Sequence, residues 1–336
     1  GDGTVAYRVS ANLYMPMEQA TVSHTITASE LNELAYQYKY DARDRLIEKK
    51  TPGKGWEYIV YDQLNRPVLT QDANLKAANK WLFSKYDAFG RVAYTGLYLY
   101  VPTSTSARIE LQNLVNNQAD PIWNEDKRTQ PASDGSDVLN GVHIEYTNNA
   151  YPNTNIELHT VNVYDSYVAS ENTPQIIQSY LFGQTTTTNT KSLPTINKTR
   201  VLETEDWIIS MILYDDKARA IYTQSKNNYL NTFDISASKL DFTGKIIESI
   251  NHHKKDTNSA IVIHDAYTYD HAQRLLTQVQ TINGQTPELI VNNHYNALGQ
   301  LERKDVGGAV ATTPENSNGL QTIDYAYNIR GWLKRN

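Results

Sequence analysis

The sequence predicts an all-β fold in which Tyr-Asp repeat β-hairpins stack side by side into a curved strip. Three observations carry that expectation. A phrase recurs along the chain: tyrosine, aspartate or asparagine, three variable residues, a basic residue and an aliphatic one. Residues before each Tyr-Asp pair alternate with a period of two, which is the signature of a strand. Tyrosine outnumbers phenylalanine by 24 to 5. Both rings suit strands, and they differ in a hydroxyl that needs a partner or water. The bias therefore predicts rings lying on a sheet face with their tips wet.

Composition narrows the class. Of the 336 residues, 40% are hydrophobic and 20% charged, so the chain is a folding one. The net charge of −6, from 31 basic and 37 acidic residues, disfavours a nucleic-acid partner, which needs a basic face. The longest apolar run, WIISMIL (207–213), is too short to span a bilayer. The absence of cysteine excludes disulfides, thiolate metal ligands and a cysteine nucleophile. The opening GDGTVAYRV has neither an initiator methionine nor a signal-peptide pattern, and the chain reads as a fragment of a larger one.

Residues 1–35 read as lead-in strands. Residues 36–100 hold the first repeat cluster, in which Tyr40-Asp41 leads to Arg45-Leu46, Tyr61-Asp62 to Arg66-Pro67, and Tyr86-Asp87 to Arg91-Val92. In the first unit Ala35, Gln37 and Lys39 interleave with Tyr36, Tyr38 and Tyr40. Residues 206–336 hold the second cluster: Tyr214-Asp215, Leu240-Asp241, Tyr269-Asp270, Tyr295-Asn296 and Tyr327-Asn328. These lead to Arg219-Ala220, Lys245-Ile246, Arg274-Leu275, Gln300-Leu301 and Trp332-Leu333. Tyr164-Asp165 is a candidate ninth, in degenerate form. Units begin about 21 to 32 residues apart within each cluster, the range of one strand–turn–strand unit per repeat.

The turn chemistry is explicit in DAFG, DFTG, NALG and NIRG. Asp or Asn opens a type I turn, and Gly90, Gly244, Gly299 and Gly331 supply the left-handed residue that closes a bulged hairpin. Asp44 and Asn65 replace that glycine and tolerate the same region, whereas Ala218 and Gln273 fit it poorly. A hairpin of this kind cannot bury its apolar face alone and must stack on its neighbours.

Residues 101–205 form an irregular insertion. STSARIELQNLVNN (104–117) has Ala107, Leu111, Leu114 and Val115 at helical spacing behind capping Ser and Thr residues, so it predicts a short amphipathic helix. RTQPASDGSD (128–137) reads as loop and TTTTNTKSLPTINK (185–198) as a polar link. VHIEYT, IELHTVNVYD and QIIQSYLFG are strand-like. The insertion reads as a large excursion between strands, with a lid, plug or contact loop as the functional alternative.

These units resemble the Tyr-Asp repeats of the Rhs family, shared with the shell of the insecticidal toxin-complex C component and the teneurin barrel. The resemblance covers about residues 36–100 and 206–336. YDARDRLIEKKTPG, YDQLNRPVLTQD, NKWLFSKYDAFGRVAYTG, LDFTGKI and DYAYNIRGWLKRN are similar to Rhs-repeat proteins of Bacteroidetes. The resemblance implies a β-strip that spirals into a hollow shell, often around a C-terminal toxin. It also implies a secreted or cell-surface location, with the rest of the shell, a possible toxin cargo, and secretion or surface machinery as partners. Family shells are closed by a core segment in which an aspartate-dependent self-cleavage frees the cargo. No stretch here is similar to that segment, so no catalytic residue carries over.

Residue chemistry points the same way. GKGW (53–56) has two glycines, no third and no following helix, and reads as a turn rather than a phosphate loop. His252, His253 and His264 are the best metal candidates, but adjacent strand histidines point to opposite faces, and no carboxylate stands at a zinc-like spacing. Asp215-Asp216 is a carboxylate pair in sequence only, and no Gly-x-Ser-x-Gly elbow occurs. The expectation is a non-enzymatic scaffold, without cofactor or metal, that encloses or presents another polypeptide. A glycan-binding or cell-binding adhesin is the alternative. A carbohydrate-active enzyme using the tyrosine-rich face is a third. Unpaired edges at the end strands predict that the isolated chain associates.

Overall fold

The computed structural model describes residues 5–9, 26–118, 122–130, 135–167, 175–310 and 319–335. It is all-β, and every strand pair among the described residues is antiparallel. The chain divides into two compact units, Gly1–Asn162 and Val163–Asn336.

In the first unit β1 (Val5–Val9) lies beside β2 (Ala35–Tyr40). From β2 the chain meanders through β3 (Leu46–Lys50), β4 (Glu57–Tyr61), β5 (Pro67–Gln71), β6 (Lys80–Tyr86) and β7 (Val92–Leu99). The lead-in segment is not all strand. Helix α1 (Ala28–Leu34) stands there, opened by a capping box between Thr27 and Glu30. Most of the remaining lead-in, residues 1–4 and 10–25, lies outside the described residues. A second short helix, α2 (Ala73–Ala77), is capped by Asp72.

The insertion leaves β7 and returns on β10 (Ile156–Tyr164), which pairs with β7 from Ile156↔Tyr98 to Val161↔Tyr94. The two backbones approach closely at Gly96, where a Cβ would lie 2.0 Å from the Glu157 carbonyl oxygen. Within the insertion α3 (Ala107–Asn116) buries Leu111 and Val115, followed by the small hairpin β8 (Val138–Leu139) and β9 (Val142–His143). The core of this unit joins Trp81, Phe83 and Tyr94 of the repeat strands to Leu111, Ile144, Tyr146 and Leu158 of the insertion, all buried. Residues 131–134 of the expected loop lie outside the described residues.

The second unit continues as a meander of β11 (Pro194–Arg200), β12 (Trp207–Tyr214), β13 (Ala220–Asn227), β14 (Thr232–Leu240) and β15 (Ile246–Lys255). It goes on through β16 (Ile261–Tyr269), β17 (Leu275–Ile282), β18 (Glu288–Tyr295), β19 (Leu301–Val306) and β20 (Gln321–Asp324). A last hairpin pairs β21 (Ala326–Tyr327) with β22 (Leu333–Arg335). Two expectations for the insertion fail here. Pro194–Arg200 is a strand, not a link, because it pairs with β12 from Ile196↔Met211 to Arg200↔Trp207. QIIQSYLFG is not a strand but holds a 3-10 turn at Gln178–Leu181, since its side chains pack down on the sheet instead of pairing along it.

One side of β12–β14 is thereby covered, with Met211, Leu213, Tyr222, Ile235 and Ala237 buried. Further along, the sheet thins. β16, β17 and β19 bury one residue each, and all three are polar: Asp265, Thr277 and Asp305. Their other residues on both faces are half-buried or exposed, whereas β18 between β17 and β19 buries Leu289, Val291 and Asn292, so this part of the sheet is thinly covered.

Candidate functional site

The repeated turn is one construction used eight times. The Asp or Asn amide donates to the carbonyl four residues on, as in Asp41 to Arg45 at 3.0 Å, Asp87 to Arg91 at 2.9 Å and Asn328 to Trp332 at 2.9 Å. Its own carbonyl accepts from the fourth turn residue, as in Gly90 to Asp87 at 3.0 Å. That fourth residue has positive φ at Gly90 (78°), Gly244 (97°), Gly299 (80°) and Gly331 (78°). Asp44, Asn65, Ala218 and Gln273 adopt the same region at 56°, 62°, 59° and 65°. Ala218 and Gln273, poor fits by residue type, are held there by the same two bonds. This is a type I turn with a left-handed closing residue.

The side chain of the first turn residue finishes the turn. Asp87 Oδ1 accepts from the amides of Phe89 and Arg91, each at 2.9 Å. Oδ2 takes Arg91 Nε and a terminal guanidinium nitrogen, each at 2.7 Å. Arg45, Arg66, Arg219 and Arg274 repeat the pairing on Asp41, Asp62, Asp215 and Asp270. In the last two units Asn296 and Asn328 keep the Oδ1 bond to the amides of Gln300 and Trp332, each at 3.0 Å, without the arginine. Burial raises the carboxyls of Asp41, Asp215 and Asp270. The side-chain and backbone bonds from the arginine four residues on outweigh it and hold all three below the ordinary 3.8. Asp241 is also lowered, first by the Thr243 hydroxyl.

A second element links neighbouring hairpins. At each Tyr position the register shifts, because the return strand carries an extra bulged residue. Those extra residues are Ile47, Val68, Ala93 and Ile221 in four of the units, all buried. The tyrosine then reaches across to the preceding hairpin. Its hydroxyl donates to the carbonyl that opens that hairpin's return strand: Tyr61 to Leu46 (2.8 Å), Tyr86 to Pro67 (2.7 Å) and Tyr269 to Ile246 (2.7 Å). Tyr295 reaches Leu275 and Tyr327 reaches Leu301, both at 3.0 Å. The preceding basic residue covers the ring, with Arg45 4.7 Å from Tyr61, Arg66 4.5 Å from Tyr86, Lys245 4.3 Å from Tyr269 and Arg274 4.3 Å from Tyr295. The expected wet tips are thus corrected at these positions, because each hydroxyl is bonded to backbone.

Tyr164-Asp165 belongs to the same series, split open. The Asp165 amide donates to the Leu193 carbonyl at 3.1 Å, and Asp165 Oδ1 accepts from the Ser192 amide at 2.6 Å. Ser192 has φ 68°, and the next carbonyl, of Pro194, accepts the Tyr214 hydroxyl at 2.7 Å. Asp165 thus holds the first position of a turn whose fourth and fifth positions are Ser192 and Leu193, and no sequence phrase marks the return half.

The excursion between β7 and β10 and the one inside the split turn each clamp repeat backbone with a glutamine. Gln112 of α3 bonds both the amide and the carbonyl of Tyr61, at 3.1 and 2.8 Å. Gln184 accepts from the Leu240 amide at 3.2 Å and donates to the Ser238 carbonyl at 3.0 Å. The excursion between β7 and β10 also helps build a buried polar cluster. Lys85 and Glu125 have fully buried side chains 2.8 Å apart. Glu125 further accepts from the Thr147 hydroxyl (2.7 Å) and the amides of Asn149 (2.9 Å) and Ala150 (3.1 Å). Asn148 Oδ1 lies 2.5 Å from Lys85 Nζ, and the Tyr94 hydroxyl is 3.1 Å from Glu125, 3.2 Å from Asn148 Oδ1 and 2.9 Å from the Thr147 carbonyl. Burial pulls the Lys85 ammonium down to about 8 against the pull of Glu125.

The other sequence candidates stay apart. His252 bonds the Tyr180 hydroxyl at 3.0 Å, His253 meets Asp234 at 2.5 Å, and His264 meets Glu248 at 3.2 Å. Among the described residues no group of three or more His, Asp or Glu is placed to hold a metal ion. Asp215 is in its turn, and GKGW is a turn in which the Lys54 amide bonds the Thr51 carbonyl at 3.1 Å. A shallow depression of about 350 Å³ on the second unit is lined by Ser210, Thr223, Ser225, Asp234, Asn251 and His253 among others. Among the described residues no helix is long and apolar enough to cross a membrane.

No protein-family model matches the chain, and no curated protein does. Among solved structures it is similar to the crystal structure of TcdB2-TccC3-TEV, with 12% identity over 98% of this chain and a TM-score of 0.43. It is also similar to the crystal structure of TcdB2-TccC3 without the hypervariable C-terminal region, with 12% identity over 96% of this chain and a TM-score of 0.26. The chain spans 14% of the length of either matched chain.

Proposed function

We propose that this chain is a non-enzymatic wall segment of an Rhs-type β-shell, secreted or displayed at the cell surface, that encloses or presents another polypeptide. The observation that supports it is the thinly covered sheet of β16–β19, in which β16, β17 and β19 bury no apolar side chain and the hairpins hold each other edge to edge through Tyr hydroxyls and basic residues. A wall needs lateral cohesion more than a second layer, and this arrangement supplies the first with little of the second. The partners follow from that reading: the rest of the shell and a polypeptide cargo. The experiment is small-angle scattering and electron microscopy of the complete natural polypeptide, together with protease digestion of whatever it carries. A hollow particle whose contents resist protease until the wall is opened agrees with the proposal. A filled particle, or contents cut as fast as free polypeptide, overturns it.

One observation favours the adhesin as a second reading. The depression has a mainly apolar floor, to which Ile235, Ile261 and Ile263 contribute, with hydroxyl, amide, carboxylate and imidazole groups of Ser210, Thr223, Asn251, Asp234 and His253 among its lining, a mixture that suits the face and rim of a sugar ring. Binding of soluble glycans that Asp234→Ala abolishes, without a hollow particle, would select it.

A further inference from the structure

The cluster around Lys85 unites a buried amine and a buried carboxyl group with a half-buried carboxamide. We infer that Lys85 and Asn148 become joined by an intramolecular isopeptide bond, which the chain forms by itself with Glu125 as the proton-transfer group.

Geometry comes first. Lys85 Nζ lies 2.5 Å from Asn148 Oδ1, so the carboxamide carbon, one C=O bond of about 1.2 Å further, is at most about 3.7 Å away. That is close to the range of a near-attack arrangement. The carboxamide is oriented, because Asn148 Nδ2 donates to the Asn153 carbonyl at 3.0 Å. Glu125 Oε1 is 2.8 Å from the same Nζ. The Tyr94 hydroxyl, 3.2 Å from Asn148 Oδ1 and 2.9 Å from the Thr147 carbonyl, has one proton that can turn to Asn148 Oδ1 as negative charge grows there. Lys85 and Glu125 are fully buried, so the attacking amine and its base are shielded from water, while Asn148 is half-buried and its carboxamide nitrogen lies on the exposed side, from which ammonia can leave.

The step balances. Lys85 passes one proton to Glu125 and becomes a neutral amine, which burial already favours. Its nitrogen attacks the Asn148 Cγ, forming a C–N bond. The bond from Cγ to Nδ2 breaks, and a second lysine proton moves to the departing nitrogen through Glu125. One ammonia leaves, one N–H remains on the new amide, and one proton stays on the carboxyl group. Nothing is oxidised or reduced.

A second lysine serves as an internal contrast. Lys50, also buried, bonds Asn32 Oδ1, but among the described residues no carboxylate bonds its amine. The proposal therefore assigns the bond to Lys85 alone. The bond would fasten β6 to the insertion 63 residues along the chain.

The test is the intact mass of the purified, folded chain, followed by peptide mapping. The expected mass is that of the sequence less one ammonia, with one proteolytic fragment containing both the Lys85 and the Asn148 peptides. Glu125→Gln and Lys85→Met should each return the full mass and separate the two peptides. A wild-type chain that is folded by circular dichroism and has the full sequence mass overturns the proposal, as does a mass loss without the joined fragment. Because the wild-type chain alone decides, a variant that fails to fold does not blunt the result.

Discussion

A repeat tyrosine has one hydroxyl proton, and in six repeats it goes to a carbonyl of the preceding return strand. Phenylalanine would keep the ring under the arginine and leave that carbonyl without its donor. Tyr86→Phe should therefore destabilise the chain by about 0.5–1.5 kcal/mol, the usual net worth of such a bond, read as a shift in the urea midpoint. An unchanged midpoint would mean that water replaces the hydroxyl freely. The aspartates add a pH signature. Asp41, Asp215 and Asp270 have folded values below the ordinary 3.8, so the folded state holds their protons less tightly than the unfolded state does. Their contribution is complete above the unfolded value and is lost as pH falls through the folded ones. The urea midpoint should fall steeply below about pH 4, and Asp215→Asn should flatten that fall. An equally steep fall in the variant would place the acid sensitivity elsewhere. The tyrosine excess is plain in the sequence, but the target of the hydroxyl is not. A carbonyl one repeat away leaves no mark on residue types.

Among the elements, the turns were the most legible, because a left-handed closing residue restricts residue choice. Ala218 and Gln273 break that rule and still sit at φ 59° and 65°. The left-handed region costs an L-residue such as alanine roughly 1–2 kcal/mol, while glycine costs roughly 0.5–1 kcal/mol in chain entropy. Ala218→Gly should thus raise stability by up to about 1 kcal/mol, whereas Gly90→Val should lower it by about 1 kcal/mol or more. Thermal melts of the two variants should move in opposite directions, and a shared direction would refute the turn assignment. The helices were legible unevenly. α3 shows a helical apolar stripe. α1 and α2 are too short for one, yet Thr27 with Glu30, and Asp72 ahead of its run, are capping signals that a scan for starts would have found. The split repeat was half legible, since Tyr164-Asp165 is visible but its return residues, Ser192 to Pro194, carry none of the phrase. The glutamine clamps were invisible, for a lone glutamine on a helix announces no partner. Gln112→Ala should cost about 1–3 kcal/mol, because it strips partners from the backbone amide and carbonyl of Tyr61.

At the scale of the molecule, stability in a stacked array is local: each hairpin leans on its neighbours and on whatever covers its face. The sequence carried the array and its two clusters of repeats. It did not carry which hairpins are backed, because backing depends on where an insertion folds. Around Lys85 and Tyr94, β6 and β7 are sealed by Glu125, Tyr146 and Ile144, all buried. Along β16, β17 and β19 the buried residues are Asp265, Thr277 and Asp305. Asp265 accepts from Gln278 and Gln280, each at 3.0 Å, and Asp305 is held by His294, Arg303 and Thr322. These bonds tie strands to one another but bury little apolar surface, and apolar burial at roughly 25 cal/mol per Å² is what separates a slow-opening element from a fast one. Amide hydrogen exchange should therefore be slowest in β6 and β7 and much faster in β16, β17 and β19, although all five are ladder strands of the same repeat. If the chain is a wall around a polypeptide, as proposed, adding that polypeptide should slow exchange in β16–β19 and leave β6 and β7 as they were. Uniform protection across all five strands would mean that lateral staples alone set stability. The thinly covered stretch would then need no partner to hold it closed.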